Sequence, residues 1–283
     1  MNRIVSRSIF AAVALCCLLI PTGMWGQQPG NKPDAKAPAP AQAAPVAAAP
    51  APATPAPHPD DDYWRKHDEQ LRVDFGWLGK FKEADAALAP PAKGENRVVF
   101  MGDSITAGWN FTGPQGSFPG KPYINRGISG QTTPQMLVRF RQDVIALKPK
   151  VVVILAGTND IAGNTGPETL EQIEDNLASM ADLATANHIR VVLCSILPAI
   201  DYRWRPGVTP APKILAINAW LKAYAAEKGY VYVDFHAAMK DEQDGLPASL
   251  SKDGVHPLPA GHAIMTPLVE AGIEKALKAG NRE

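Results

Sequence analysis

The chain has 283 residues, 28 basic and 28 acidic side chains, and a formal net charge of zero. That balance argues against a nucleic-acid partner and against an electrostatic membrane patch. Of three cysteines, Cys16 and Cys17 lie in the first apolar run and only Cys194 lies downstream. Loss of that run excludes a disulfide framework, and no Cys/His cluster has zinc spacing.

Arg3 and Arg7 precede an apolar stretch from Ile9 to Ile20, which Pro21 ends. A basic start and an apolar core of about a dozen residues describe a secretory signal. The run is shorter than the roughly 20 residues that cross a bilayer, so an uncleaved anchor is the second choice. Cleavage before Gln27 gives a signal peptide over residues 1–26, although Met24 fits the cleavage site poorly. Neither Cys16 nor Cys17 follows a small residue, against a lipoprotein signal. Secretion or a periplasmic location is expected, with no integral membrane domain after cleavage.

Residues 27–59 follow, and Ala35 to Pro59 is almost entirely Ala and Pro. Such a tract buries nothing and reads as an extended, partly polyproline-II linker. At about 3.1 Å per residue it reaches on the order of 70 Å. Residues 60–283 are enough for one core and are read as one domain.

Tyr63 to Leu88 reads as an amphipathic helix packed on the domain. Trp64, Leu71, Phe75, Leu78 and Phe81 fall near helical spacing, and Gly76 and Gly79 predict a break. Strand-like runs follow at Arg97–Met101, Tyr123–Asn125, Val151–Ala156, Arg190–Ser195 and Tyr230–Asp234. Helical patterns fall between and after them, at Pro134–Leu147, Pro167–Asn187, Pro212–Lys228 and Pro259–Lys278. This alternation implies an α/β fold with a parallel sheet covered on both faces. Cys194, inside an apolar run, reads as a small buried residue.

Four short segments stand at the predicted strand ends. Gly102-Asp103-Ser104-Ile105 follows Val98-Val99-Phe100-Met101 and puts a serine hydroxyl at a strand's carboxyl end, where ligands of open α/β sheets bind. That position suits a nucleophile. Asp253-Gly254-Val255-His256, followed by Pro257, spaces a carboxylate so that it can fold back onto Nδ1 of His256 and leave Nε2 as a base. Gly130 can offer a backbone N–H and Asn159, in Gly157-Thr158-Asn159-Asp160, a side-chain amide. With the Ser104 N–H they make three donors for an oxyanion hole. Each segment taken alone is also an ordinary turn.

Together, Ser104 in Gly-Asp-Ser-Ile, Gly130 in Ile-Ser-Gly-Gln-Thr, Asn159 in Gly-Thr-Asn-Asp and the Asp253/His256 pair resemble the GDSL-type esterases of the SGNH hydrolase superfamily. The resemblance runs from about Asn96 to Leu277. Ile105 stands where the family's name motif has Leu, a conservative exchange. Gly127 to Asp160 is also similar to the catalytic subunits of intracellular platelet-activating-factor acetylhydrolases, in Gly-Gln-Thr-Thr and Lys-Pro-Lys-Val-Val-Val. The resemblance implies a three-layer α/β/α, flavodoxin-like fold around a mostly parallel five-stranded sheet. It implies Ser104 as nucleophile, His256 as base, Asp253 as its orienter, and Gly130 and Asn159 as oxyanion donors. It implies no metal or cofactor, and a short acyl group.

Further candidates are positional. Trp109, Asn110 and Phe111 follow the nucleophile and are expected to line a substrate pocket. Tyr202, Trp204 and Arg205 lie in an aromatic and basic loop after the fourth strand, where substrate contacts collect; they suit a sugar or aryl group. Asp103 and Asp160 are expected to cap turns beside the site. His188 and His236 read as structural, and His262 as no second base. The expected activity is two-step acyl transfer from a small ester, with O-acetyl groups on carbohydrates the leading substrate. Alternatives are a lysophospholipase or lipase, a carbohydrate-binding protein without activity, and a metallophosphoesterase built from Asp103, Asn159, Asp160, Asp253, His256 and His262. The sequence does not reveal the oligomeric state.

Overall fold

The computed structural model describes residues 61–112 and 116–279. The signal-peptide and linker expectations lie outside those residues. Five strands form: β1 (Val98–Gly102), β2 (Tyr123–Gly127), β3 (Val151–Leu155), β4 (Arg190–Cys194) and β5 (Val231–Val233). All pair in parallel in the order β2-β1-β3-β4-β5. This is the flavodoxin-like order. The chain leaves β1 toward one edge and returns to β3 on the other side. The resulting switch point lies at the carboxyl ends of β1 and β3, where a crevice opens in such sheets. Every residue of β1 and β3 is buried, as the unbroken apolar runs of a doubly covered sheet require.

Nine α-helices accompany the strands among the described residues. They are α1 (Asp61–Val73), α2 (Lys82–Ala86), α3 (Ser104–Ala107), α4 (Thr133–Asp143), α5 (Thr158–Ala162), α6 (Leu170–Ala186), α7 (Pro210–Lys228), α8 (Phe235–Met239) and α9 (Pro259–Lys278). Side chains alternate across the sheet. Val99, Met101, Val152 and Ile154 pack with Met136 and Phe140 of α4, Leu177 of α6 and Ile217 of α7. Val98, Phe100, Val151 and Val153 face Met265, Val269 and Ile273 of α9 on the other side. The three layers follow from this period of two.

The predicted strands and long helices form, with shifted ends. The helix predicted over Pro134–Leu147 stops at Asp143 and gives way to a 3-10 turn over Ile145–Leu147. The one predicted from Pro167 begins at Leu170, after Thr169 accepts the Gln172 N–H in a capping box. The segment over Tyr63–Leu88 breaks into α1 and α2 around Gly76 and Gly79, as expected. Its connecting turn is tied to the domain by three glutamines: Gln131 Nε2 donates to Gly76 O, Gln135 Nε2 to Phe75 O and Gln142 Nε2 to Leu78 O.

One charged side chain braces the site from within. Arg139 of α4 is 0% exposed. It donates to the carbonyls of Gly102 and Arg126, at the ends of β1 and β2, at 3.2 and 2.8 Å. It also bonds Gln131 Oε1 at 2.6 Å and Asp143 at 2.9 Å. A buried guanidinium needs this many acceptors.

Candidate active site

β1 must turn sharply into α3, and Gly102 allows it. A Cβ there would stand 2.1 Å from Thr106 Oγ1 and 2.7 Å from the Leu155 carbonyl. Asp103 then caps α3, its Oδ1 accepting the Ile105 N–H at 2.9 Å, as expected for it. Burial pushes the Asp103 carboxyl up to about 6, against the pull of the Ile105 N–H and of charge on His256. Ser104, the next residue, is left half-buried at the start of α3.

The loop before α9 brings His256 to it. Ser104 Oγ lies 2.8 Å from His256 Nε2, and His256 Nδ1 lies 2.6 Å from Asp253 Oδ2. The second oxygen, Asp253 Oδ1, accepts the N–H groups of Val255 and His256 and the Ser251 hydroxyl, at 2.8–3.0 Å. Gly254, at φ +82°, lets the loop fold around that carboxylate. Pro257 pairs with Ser251 in an antiparallel bridge that closes the loop carrying Asp253 and His256. Partial burial pushes the Asp253 carboxyl up. The His256 N–H, the imidazole and the Val255 N–H outweigh this and hold it well below the usual carboxylate range. An ionised carboxylate only accepts, so Nδ1 carries the proton and Nε2 faces Ser104 as an acceptor.

The two remaining motif residues meet across the crevice. Gly130 sits at φ +80° in the turn after β2. Asn159 lies in α5, and its Nδ2 donates to Gln131 O at 3.0 Å. Asp160, the next residue, accepts the N–H of Thr133 at 2.8 Å and so ties α5 to the start of α4. Burial raises the Asp160 carboxyl, against the Thr133 hydroxyl, with the Glu168 charge adding to the rise.

The positional candidates divide. Trp109 is 3% exposed, and its ring packs with Phe100, Phe111 and Phe118 while stacking on His262. It is core, not pocket wall; a loop aromatic beside the sheet end turned inward to cover Phe100. Tyr202 is 1% exposed, its hydroxyl 2.7 Å from Thr158 Oγ1, and it too offers no face to a ligand. Trp204 stacks on Tyr202 with centroids 4.8 Å apart and stands 6.3 Å from the His256 ring. Arg205 lays its guanidinium over Trp64 of α1. Asn110 lines a cavity of about 550 Å³ with Gly108, Ser117, Pro257 and His262.

Sequence reasoning treated α1 as packing alone. Its Tyr63 is 45% exposed, and the hydroxyl comes within 3.2 Å of where a Cβ of Gly130 would stand. His67 backs the Tyr63 ring at 6.3 Å. Thus α1 and the Trp204-Arg205 loop together flank the Gly130 side of the crevice. Periodicity showed the helix but carried no sign of this neighbour. The side chains of the metallophosphoesterase alternative have other partners. Asp103 caps α3, Asp160 holds Thr133, Asp253 holds His256 and His262 stacks on Trp109. Among the described residues no group of three or more His, Cys, Asp or Glu side chains is placed to hold a metal ion.

The model of the GDSL-like lipase/acylhydrolase family matches residues 100–264. The chain belongs to that family. It is similar to a solved GDSL-like lipase from Bacteroides thetaiotaomicron, at 47% identity and a TM-score of 0.69, over 72% of this chain and 100% of that one. An acetylxylan esterase from Xylanibacter ruminicola is 27% identical over 75% of this chain. The GDSL chain spans only 48% of that relative's length. An acetylxylan esterase from Geobacillus stearothermophilus is 30% identical over 50% of this chain and 67% of its own. Helices α1 and α2 precede the stretch that the family model matches.

Proposed function

We propose that the protein is an exported serine esterase that removes short acyl groups, acetyl foremost, from carbohydrate esters. The observation that carries the reading is the continuous hydrogen-bond chain from Ser104 Oγ through His256 to Asp253. In the first step the Ser104 proton passes to His256 Nε2 as Oγ bonds the ester carbon, and the carbonyl electrons move onto oxygen. The Ser104 N–H, the Gly130 N–H and the Asn159 amide receive that oxyanion. The tetrahedral species collapses, the C–O bond to the alcohol breaks, and His256 returns its proton to the leaving oxygen. Water then repeats the sequence on the acyl-enzyme, releasing the acid and restoring Ser104. Asp253 holds the imidazole in one tautomer and stabilises it when charged.

Two relatives named acetylxylan esterase support the carbohydrate part of the reading. So does the exposed Tyr63 ring beside Gly130 and the Trp204 ring beside His256, since aromatic faces with nearby polar atoms suit sugars. Export rests on the basic and apolar pattern of residues 1–26. The test is acid release from p-nitrophenyl acetate, acetylated xylan, acetylated pectin and lysophospholipid. Acetate from xylan with little fatty acid from lysophospholipid is expected. The reverse order makes the protein a lysophospholipase.

A further inference from the structure

We propose that Asn164 is the positioning residue of the oxyanion hole, holding both Asn159 and Gly130 in register. It rests on the reading of those two as oxyanion donors. Asn164 follows Gly163, the left-handed residue that ends α5, and turns back under that helix. Its own N–H donates to the Asn159 carbonyl at 3.0 Å. Asn164 is 6% exposed, and its side chain is fully engaged. Nδ2 donates to Asn159 Oδ1 at 3.0 Å and to the Gly130 carbonyl at 3.1 Å. Oδ1 accepts the Trp204 indole N–H at 3.2 Å.

The chemistry of these partners leaves one orientation. An indole N–H only donates, so the atom of Asn164 that faces Trp204 is Oδ1. A backbone carbonyl only accepts, so the atom facing Gly130 is Nδ2. With Nδ2 of Asn164 spoken for, the Asn159 atom beside it is the carbonyl oxygen. The Asn159 amide nitrogen then points away, one hydrogen on Gln131 O and the other left for the substrate oxygen. Turning the Asn159 amide over would set its oxygen against the Gln131 carbonyl and two amide nitrogens against each other. At Gly130 the same side chain restrains a glycine that lacks a Cβ and stands at φ +80°, where backbone freedom is greatest. Preorganised donors are what make an oxyanion hole effective, and Asn164 supplies the preorganisation.

The experiment compares Asn164→Asp, Asn164→Ala, Asn159→Ala and the double variant Asn159→Ala/Asn164→Ala on p-nitrophenyl acetate, with thermal melts of each. Asn164→Asp keeps the acceptor for Trp204 and loses both donations. The expected result is a fall in kcat of about 10–100-fold for each Asn164 variant, with KM within about twofold of wild type. The double variant should lose less than the product of the two single losses, because the part of the Asn164 effect that runs through Asn159 is already gone while the part through Gly130 remains. A general structural role would lower the melting temperature and multiply with Asn159→Ala instead. Wild-type kcat in a folded Asn164→Asp, or in Asn164→Ala should the Asp variant not fold, overturns the proposal. So does a double variant at the product of the single losses. If Asn159→Ala itself keeps wild-type kcat, the oxyanion reading of the site fails, and this inference fails with it.

Discussion

Ser104 and His256 are 152 positions apart in the chain, and their side chains stand 2.8 Å apart. The contact joins the end of a central strand to a loop held by its own carboxylate. Ser104→Ala should therefore remove the nucleophile and leave the fold unchanged. A loss in kcat of at least about 10³-fold on p-nitrophenyl acetate is expected, on the scale of triad losses. The check is turnover together with a thermal melt. A folded, contaminant-free Ser104→Ala protein with near-wild-type turnover takes Ser104 out of the mechanism.

Acyl length is fixed by what lies past the nucleophile. Trp109, Phe111 and Phe118 are packed together under Phe100, so these aromatics are not available to line a groove for a long chain. A buried methylene adds about 0.8 kcal/mol only where a groove receives it. The highest kcat/KM is expected on acetyl to butyryl esters, with a steep fall by octanoyl. A series of p-nitrophenyl esters below their micelle concentrations measures this. A maximum at octanoyl or beyond would identify a lipase.

Arg139 should be among the costliest side chains to remove. Arg139→Met leaves Asp143 charged and buried with its cation gone, and strips the Gly102 and Arg126 carbonyls of a donor. Breaking one side of a buried pair costs about 3–5 kcal/mol. Urea unfolding of the variant should show a loss of that size. A loss below about 1 kcal/mol would mean that the buried network is not a stabilising brace.

Asp103 should give stability a pH dependence of unusual sign. Its carboxyl titrates near 3.8 when unfolded and at about 6 in the fold, where burial opposes the charge. The folded protein therefore holds this proton to higher pH than the unfolded chain does. The contribution is complete below about pH 3.8 and is lost as pH rises to about 6. Asp103→Asn keeps an acceptor for the Ile105 N–H and does not titrate. Relative to wild type it should gain up to about 3 kcal/mol between pH 4 and pH 7, from 1.36 kcal/mol per unit. Parallel stability curves for the two proteins across that range would refute the assignment.

Strand positions and the five motif residues were legible because each signal is local. Four of the five apolar runs end at Gly, Asn or Asp, and Ser104, Gly130 and Asn159 follow three of them; Asp253 and His256 lie instead in the loop between α8 and α9, away from any strand end, where their own spacing is the local signal. The direction of a loop side chain is not local. Trp109 and Tyr202 stand at strand ends, where ligands collect, yet each ring turned inward to cover apolar neighbours. Arg139 lies in an amphipathic helical pattern where a charge ordinarily marks the outer face. Only the folded strand ends supply the carbonyls that draw it inside. Asn164 lies in Gly163-Asn164-Thr165-Gly166, a sequence that reads as a turn and nothing more.

The segment ahead of β1 changes where this chain can be cut. Arg126, at the end of β2, pairs with Asp85 of α2 and lies 4.6 Å from the Phe81 ring centroid. Gln131 and Gln135 find carbonyl partners in the turn between α1 and α2. A fragment beginning at β1 would retain all five motif residues and every strand. It would also strand a cation and two amides that now have partners, and bare the flank of Gly130. The smallest unit that keeps these partners therefore begins upstream of the four motif segments, at α1.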